Sequence, residues 1–560
     1  MRRAAGASRA DAGTGGVSTT TFRLPLRRWA RVARWVAAAA AVPALWACSS
    51  HRLSVPDPHP AFVDQRSFRQ NINHKLDLLF MVDDSSSMKP LQKKMSDQLG
   101  LFMDILVDKS TNQLPDLHVA VVSSSMGAGA WDLKSSCTAS TGGDYGGKFR
   151  QGAGAPGQGS CPMLRNGARF LDTGDGMTSA NFEGDIRDAF KCMALLGDQG
   201  CGFESQFKSV MYALDYARDP QNPDNGGFLR DDAVLAIVMV TNEDDCSVDY
   251  DSLLLTPEVN SPKDASGLGA QRNYRCNEFG HLCGGQPPPH GYPDLIPVSG
   301  IELKDCVSAE DTGPKNDDLI SDPKGNPDPT HGHLWPTVKD FASYIKALKP
   351  GRESDILVAA IAGPTTPYRV MPYNNLNTGE QNPDIAHSCT YDGNDPEQPE
   401  YADPAVRINQ WLKEFGDDNK IFPICAQTLQ NAMSQIAQKI HQTIGASCLA
   451  SDLAWRNPSD HSKGHNCAAE RRASASSNGG GGSPSTSKLD ECLPIVTNAE
   501  APERPTNAPC YQLLPDAADC DKDNGNNKNK TLFRVCENAD CKAASTSSER
   551  VDATISCAVP

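Results

Sequence analysis

The sequence predicts an α/β fold on a doubly wound, mainly parallel sheet, and three observations predict it. Several short runs are apolar at every position, as strands buried on both faces are. Between them lie stretches whose apolar residues recur every three or four positions, the stripe of an amphipathic helix. The two kinds alternate along the chain, which favours parallel strands joined by right-handed crossovers.

The first strand is expected over 76–82, ending at Asp83. A helix with Leu91, Met95, Leu99, Phe102, Met103 and Leu106 on one stripe follows, then a strand over 117–122. A Gly-rich insertion near 124–200 interrupts the rhythm. Helical spacing returns at Phe203, Phe207, Val210, Met211 and Leu214. Residues 234–240 form the clearest central strand. A second insertion near 247–335 precedes a helix (Val338, Phe341, Ile345, Leu348) and a strand over 356–361. A third near 363–404 precedes a closing helix with Leu429, Met433, Ile436, Ile440 and Ile444. Insertions this long are functional or disulfide-held in compact domains. The α/β domain is therefore placed at 72–448. A neck and flexible Gly/Ser linker follow at 449–487, then a small Cys-rich, β-rich module at 488–560.

Composition and charge narrow the function. The chain has 560 residues, 39% hydrophobic and 22% charged, and a net charge of −16. Residues 1–47 hold eight Arg and one Asp, so the rest of the chain is still more acidic. Such a surface repels nucleic acid and recruits cations. The basic stretch runs into an apolar segment too short to span a bilayer, with signal-peptide logic. It ends Leu45-Trp46-Ala47-Cys48-Ser49, which resembles the lipobox of bacterial lipoproteins. That resemblance implies acylation of Cys48, a lipid anchor in the membrane and a tether over 48–71. It places the chain at the bacterial outer membrane, periplasmic or surface-facing. Setting Cys48 aside leaves 18 of the 19 Cys, ten at 137–425 and eight at 448–557. In an oxidising compartment these read as disulfides closed within each region. Cys137/Cys161 and Cys192/Cys201 are the expected local pairs.

The first strand is followed by Asp83-Asp84-Ser85-Ser86-Ser87. At the carboxyl edge of a parallel sheet, alternate residues of the turn into a helix point at one spot. A carboxylate and two hydroxyls there form half an oxygen shell for a hard cation. D-x-S-x-S at this place resembles the metal-ion-dependent adhesion site of von Willebrand factor type A domains. The resemblance spans 72–448 and implies two further loops. The second, 200–205, lacks the family's Thr, so Glu204 or Ser205 stands in; the third, 240–245, has Asn242 where the family has Asp. It implies that Ser85 and Ser87 bind the cation, Asp83 and Asn242 anchor its waters, and Glu204 adds an oxygen. By the same resemblance the cation would be Mg2+, or Mn2+ or Ca2+, and a partner's acidic group would complete the shell.

Other signals are weaker. Residues 142–149 nearly spell a P-loop but end in Phe149. His331, His333, His387, His461, His465 and Cys467 lack zinc-site spacing, and 519–525 departs from a calcium loop at two positions. Ser123-Ser124-Ser125 lacks a nucleophile elbow, and Glu243, Asp244 and Asp245 read as an acidic rim. The expectation is a non-enzymatic envelope lipoprotein that binds a protein or surface polymer, with no nucleic-acid partner. A structural component with a vestigial metal site and a metal-dependent envelope hydrolase are the alternatives.

Overall fold

The computed structural model describes residues 62–69, 75–107, 114–128, 146–153, 161, 163–174, 179–249, 252–255, 272–289, 296–310, 334–374, 381–393, 399–416, 419–444, 448–449, 453–475, 485–495, 505–515, 531–536 and 549–559. The signal stretch 1–47, Cys48, Cys137, His331, His333 and 519–525 lie outside them.

The first described strand is β1 (Phe62–Arg69). The α/β part then runs β2 (Lys75–Val82), α1 (Lys89–Ser96), α2 (Leu99–Leu106), β3 (Asp116–Ser123), β4 (Leu171–Asp172), α3 (Ile186–Ala194), α4 (Gln206–Arg218) and β5 (Val234–Val240). It continues with α5 (Tyr274–Gly280), α6 (Val338–Ala347), β6 (Ile356–Ala362), α7 (Val406–Lys413), β7 (Ile421–Pro423) and α8 (Gln430–Ile444). Sheet order is β7-β6-β5-β2-β3-β4. Every neighbouring pair is parallel except β3 with the short edge strand β4. The protein is thus mixed α/β with a mostly parallel central sheet.

Alternation along the strands splits the core in two. Leu76, Leu78, Phe80 and Val82 of β2 face one layer, with Met95, Phe102, Phe190 and Met433 from α1, α2, α3 and α8. Leu79 and Met81 face the other, with Phe207, Phe341 and Trp411 from α4, α6 and α7. Phe80 meets Phe102 and Phe190 edge-on, with centroids 5.6 and 5.0 Å away. β2 is therefore anchored from both sides just before it delivers Asp83. Chain order runs outward from β2 to β3 and then returns to β5 on the other side of β2. The carboxyl ends of β2 and β5 thus flank the switch point, where ligands bind in open α/β sheets.

Several expectations need correction. The stripe over 91–106 belongs to two helices, because the first ends at Ser96 and the next begins at Leu99. Phe203 precedes its helix, which starts at Gln206. Cys161 bonds to Cys192, which rules out both expected local pairs; separation in sequence says little about which Cβ atoms meet. The other disulfides with both ends described are Cys246–Cys276, Cys283–Cys306, Cys389–Cys425, Cys467–Cys557 and Cys492–Cys510. Each stays within its region. Residues 62–69, expected as tether, form β1 and pair with β12 (Glu549–Val559); backbone pairing needs no apolar period. The segment expected as neck and linker holds β8 (Cys467–Ala475) and the start of β9 (Ser485–Leu489), which pair antiparallel. Strands β1-β12-β8-β9 make one sheet, and β10 (Cys510–Pro515), β11 (Thr531–Cys536) and Cys448–Leu449 another. Among the described residues no helix is long and apolar enough to cross a membrane.

Candidate functional site

Three loops meet at the carboxyl end of the central sheet. In the loop after β2, the Ser85 amide donates to Asp83 Oδ1 at 2.8 Å, so the aspartate folds the turn back on itself. Ser85 Oγ and Ser87 Oγ are 3.2 Å apart. The loop after β5 joins them: Asn242 Nδ2 donates to Ser87 Oγ at 3.1 Å, and Thr241 Oγ1 donates to Asp83 Oδ2 at 2.8 Å. Of the five residues proposed from the sequence, Asp83, Ser85, Ser87 and Asn242 share this one network. Asp83 and Asn242 are buried, Ser87 is half-buried and Ser86 exposed, so the network opens to solvent on the serine side.

Glu204 comes from the loop that leads into α4, which packs against the segment after β3. Ser205 N–H donates to Ser124 O at 2.9 Å, and Ser124 Oγ donates to Asp83 Oδ1 at 3.3 Å. Gln206 Nε2 donates to Thr241 Oγ1 at 3.1 Å. Approach to the first loop is closest at Gly200, whose amide donates to Asp84 O at 2.7 Å; a Cβ there would collide with Asp84. Glu204 itself is 1% exposed, and no N–H or hydroxyl reaches either carboxylate oxygen. Its carboxyl lies against that of Glu243.

The electrostatics follow from this crowding. Burial, then the charges of Glu243 and Asp83, push Glu204 well above the usual carboxylate range. Burial pushes Asp83 up to about 6, with the Ser85 and Thr241 hydrogen bonds pulling the other way. Glu243 rises to about 7, mainly through burial. Desolvation favours the neutral acid wherever no cation compensates it. Facing carboxyls of Glu204 and Glu243, with Asp83 and the serine hydroxyls at the same sheet edge, make an all-oxygen donor set of the kind a hard divalent cation takes, so the residues present fit one.

Beneath the loop, Asp84 is tied down differently. It accepts from Ser123 Oγ at 2.5 Å and Ser125 Oγ at 3.0 Å, and it pairs with the fully buried Arg150 at 3.1 Å. The serine hydroxyls of 123–125 are thus committed to Asp83 and Asp84.

No family model matches the chain, and no curated protein matches it. Among solved structures, the adhesive tip pilin GBS104 of Group B Streptococcus agalactiae is similar over 89% of this chain and 81% of that one, at 10% identity and a TM-score of 0.27. The pilus adhesin RrgA of Streptococcus pneumoniae is similar over 89% of this chain and 58% of that one, at 12% identity and a TM-score of 0.19. Scores of this size leave fold and function to the chain's own residues.

Sequence reading missed four contributors. Thr241 and Ser124 carried no signal beyond adjacency to a strand end. Glu243 was read as rim, and the fourth contributor, the third insertion, as irregular. That insertion supplies Tyr401, whose carbonyl accepts from Asn242 Nδ2 at 3.2 Å, and Asp403, whose amide donates to Asn242 O at 2.8 Å. Asp403 pairs with His387 at 2.7 Å, and the His387 ring stacks on Tyr401. Cys467 is in a disulfide with Cys557 and offers no thiolate to a metal. A separate group lies at the opposite end of β3: Asp116, His118 and Asp172 have ligand atoms within 4.8 Å of one another. There Arg230 holds Asp116 at 2.6 Å, and His118 Nδ1 donates to the Phe228 carbonyl at 2.8 Å.

Proposed function

We propose that this chain is a non-catalytic, exported binding protein that captures a protein or surface polymer through a divalent cation at the carboxyl edge of its sheet. The cation, Mg2+ or Mn2+ or Ca2+, would be held by Ser85, Ser87 and Glu204, with Asp83 and Asn242 anchoring its water. This is the adhesion-site reading of a von Willebrand factor type A-like domain. Acylation at Cys48 would tether it to the outer membrane. The observation that carries the reading is Glu204: its carboxylate is buried with no N–H or hydroxyl on either oxygen, at the sheet edge where the Ser85 and Ser87 hydroxyls meet. A bound cation supplies positive charge to which a partner's carboxylate can coordinate. Asp83 and Thr241 hold the serine turn in place, and Asn242 orients Ser87. Disulfides in both regions support export, since they persist in oxidising compartments.

The test is thermal. Mg2+ or Mn2+ added to the purified full chain should raise its melting temperature, and EDTA should reverse the rise. Replacing Ser85 and Ser87 together by Ala should diminish the response while the cation-free melting temperature changes little. On a polyglutamate-coated sensor, the acidic chain should be retained only with cation present. A melting temperature indifferent to all three cations would overturn the proposal and leave a structural envelope component.

A further inference from the structure

Glu243 is the feature that one cation does not account for. A small cavity beside Glu204 is lined by the acidic residues Glu204, Glu243, Asp244, Asp245 and Asp403 together with Asn273, Asn277 and His281, and by none of the serines of the first loop. Most of these charges have partners. Asp245 pairs with Arg407 at 3.2 Å. Asp244 faces His281 at 2.9 Å and accepts the Arg407 and Ile408 amides. Asp403 pairs with His387. Glu243 accepts from the Asn273 side-chain amide at 2.5 Å and meets the carboxyl of Glu204, which receives no N–H or hydroxyl on either oxygen. Asp83, on the serine side, has hydroxyl and amide donors but no cationic partner among the described residues.

We infer that Glu204 and Glu243 hold a second divalent cation in this cavity, with Glu204 bridging it to the one at the serine turn. The inference rests on the reading of the serine turn given above. Ionised to hold metal, Asp83, Glu204 and Glu243 carry three negative charges, and His387 acts on Glu243 without pairing to it. One divalent cation leaves that cluster negative, a poor receptor for an acidic partner; two make it positive. All the donors are oxygen, so the second ion is a hard one, Ca2+ or Mn2+ rather than a thiolate-seeking metal. Glu243 is the most exposed of the acidic residues that line the cavity.

Equilibrium dialysis of the full chain against Mn2+ alone, with metal analysis, tests both sites together. The wild type should hold two Mn2+ per chain. The isosteric Glu243→Gln variant should hold one, and so should the Ser85→Ala, Ser87→Ala double variant. One Mn2+ in the wild type, unchanged in affinity by Glu243→Gln, would overturn the second site and leave the first standing. One Mn2+ that disappears in Glu243→Gln but survives loss of both serines would place the only cation in the cavity and overturn the serine reading. No binding would overturn both. Electron paramagnetic resonance of the loaded wild type needs no variant: neighbouring Mn2+ ions should give an exchange-broadened spectrum, and the hyperfine pattern of an isolated Mn2+ at full loading would overturn the paired site.

Discussion

Thr241 Oγ1 donates to Asp83 Oδ2 across 2.8 Å, joining residues 158 positions apart in the chain. The bond ties the end of β5 to the end of β2, at the point where sheet order reverses. It orients Asp83 so that the other oxygen, Oδ1, receives the Ser85 amide. A single hydroxyl thus links the third loop to the turn that carries the serines.

Removing that hydroxyl should loosen the site more than the fold. Thr241→Val keeps the shape of the side chain but leaves Asp83 Oδ2 without its donor. The cost in stability should be about 1–3 kcal/mol, the usual penalty for a buried group left unpaired. Cation affinity should fall about 10-fold or more, as when outer-shell partners are removed. Calorimetric titration with Mn2+ and urea unfolding measure the two effects; undiminished affinity would show that Asp83 needs no orientation.

Arg150 is a structural cation. It is fully buried on Asp84, so Arg150→Met leaves a buried charge uncompensated. The expected loss is about 3–5 kcal/mol in urea unfolding. Asp84→Asn added to that variant should recover part of it, because the stranded charge is then gone.

The cation-free chain should lose stability as pH rises from 5 to 8. Asp83, held at about 6, and Glu243, held at about 7, bind protons more readily folded than unfolded. Stability from groups raised in this way is full below their unfolded values and is lost as pH climbs through the folded ones. For Asp83 the change is about 3 kcal/mol. Asp97, Asp172 and Asp232 are held below their usual value and titrate beneath this window. Saturating Mg2+ should flatten the dependence, since bound cation compensates the ionised form. Melting curves with EDTA and with Mg2+ decide it.

The Cys161–Cys192 bond closes a loop of 31 residues. Replacing both by Ser should cost about 3–4 kcal/mol through the unfolded chain, with cation binding preserved, because neither sulfur belongs to the three loops of the site. Loss of Mn2+ binding in a folded variant would place that insertion in the site.

Much of the fold was legible because burial on both faces leaves a local mark. The runs at 76–82 and 234–240 are apolar at nearly every position, and both are central strands. The helix break after Ser96 was not legible, since Leu91, Met95 and Leu99 keep the same spacing across it. In the site, D-x-S-x-S was readable because alternate residues of a single turn share a direction. Glu243 was not, because its meaning comes from facing Glu204 in another loop.

From the sequence alone came the alternation of strands and helices, the edge of the sheet where a site belongs, the serine turn, and a cysteine count that fits disulfides. Tertiary structure alone decided which cysteines join, that 62–69 pairs as a strand, that Arg150 neutralises Asp84, and that the carboxyls of Glu204 and Glu243 face each other. The first set depends on neighbours a few residues apart, which leave a period in the chain. The second depends on which distant groups burial forces together, and no local pattern records that.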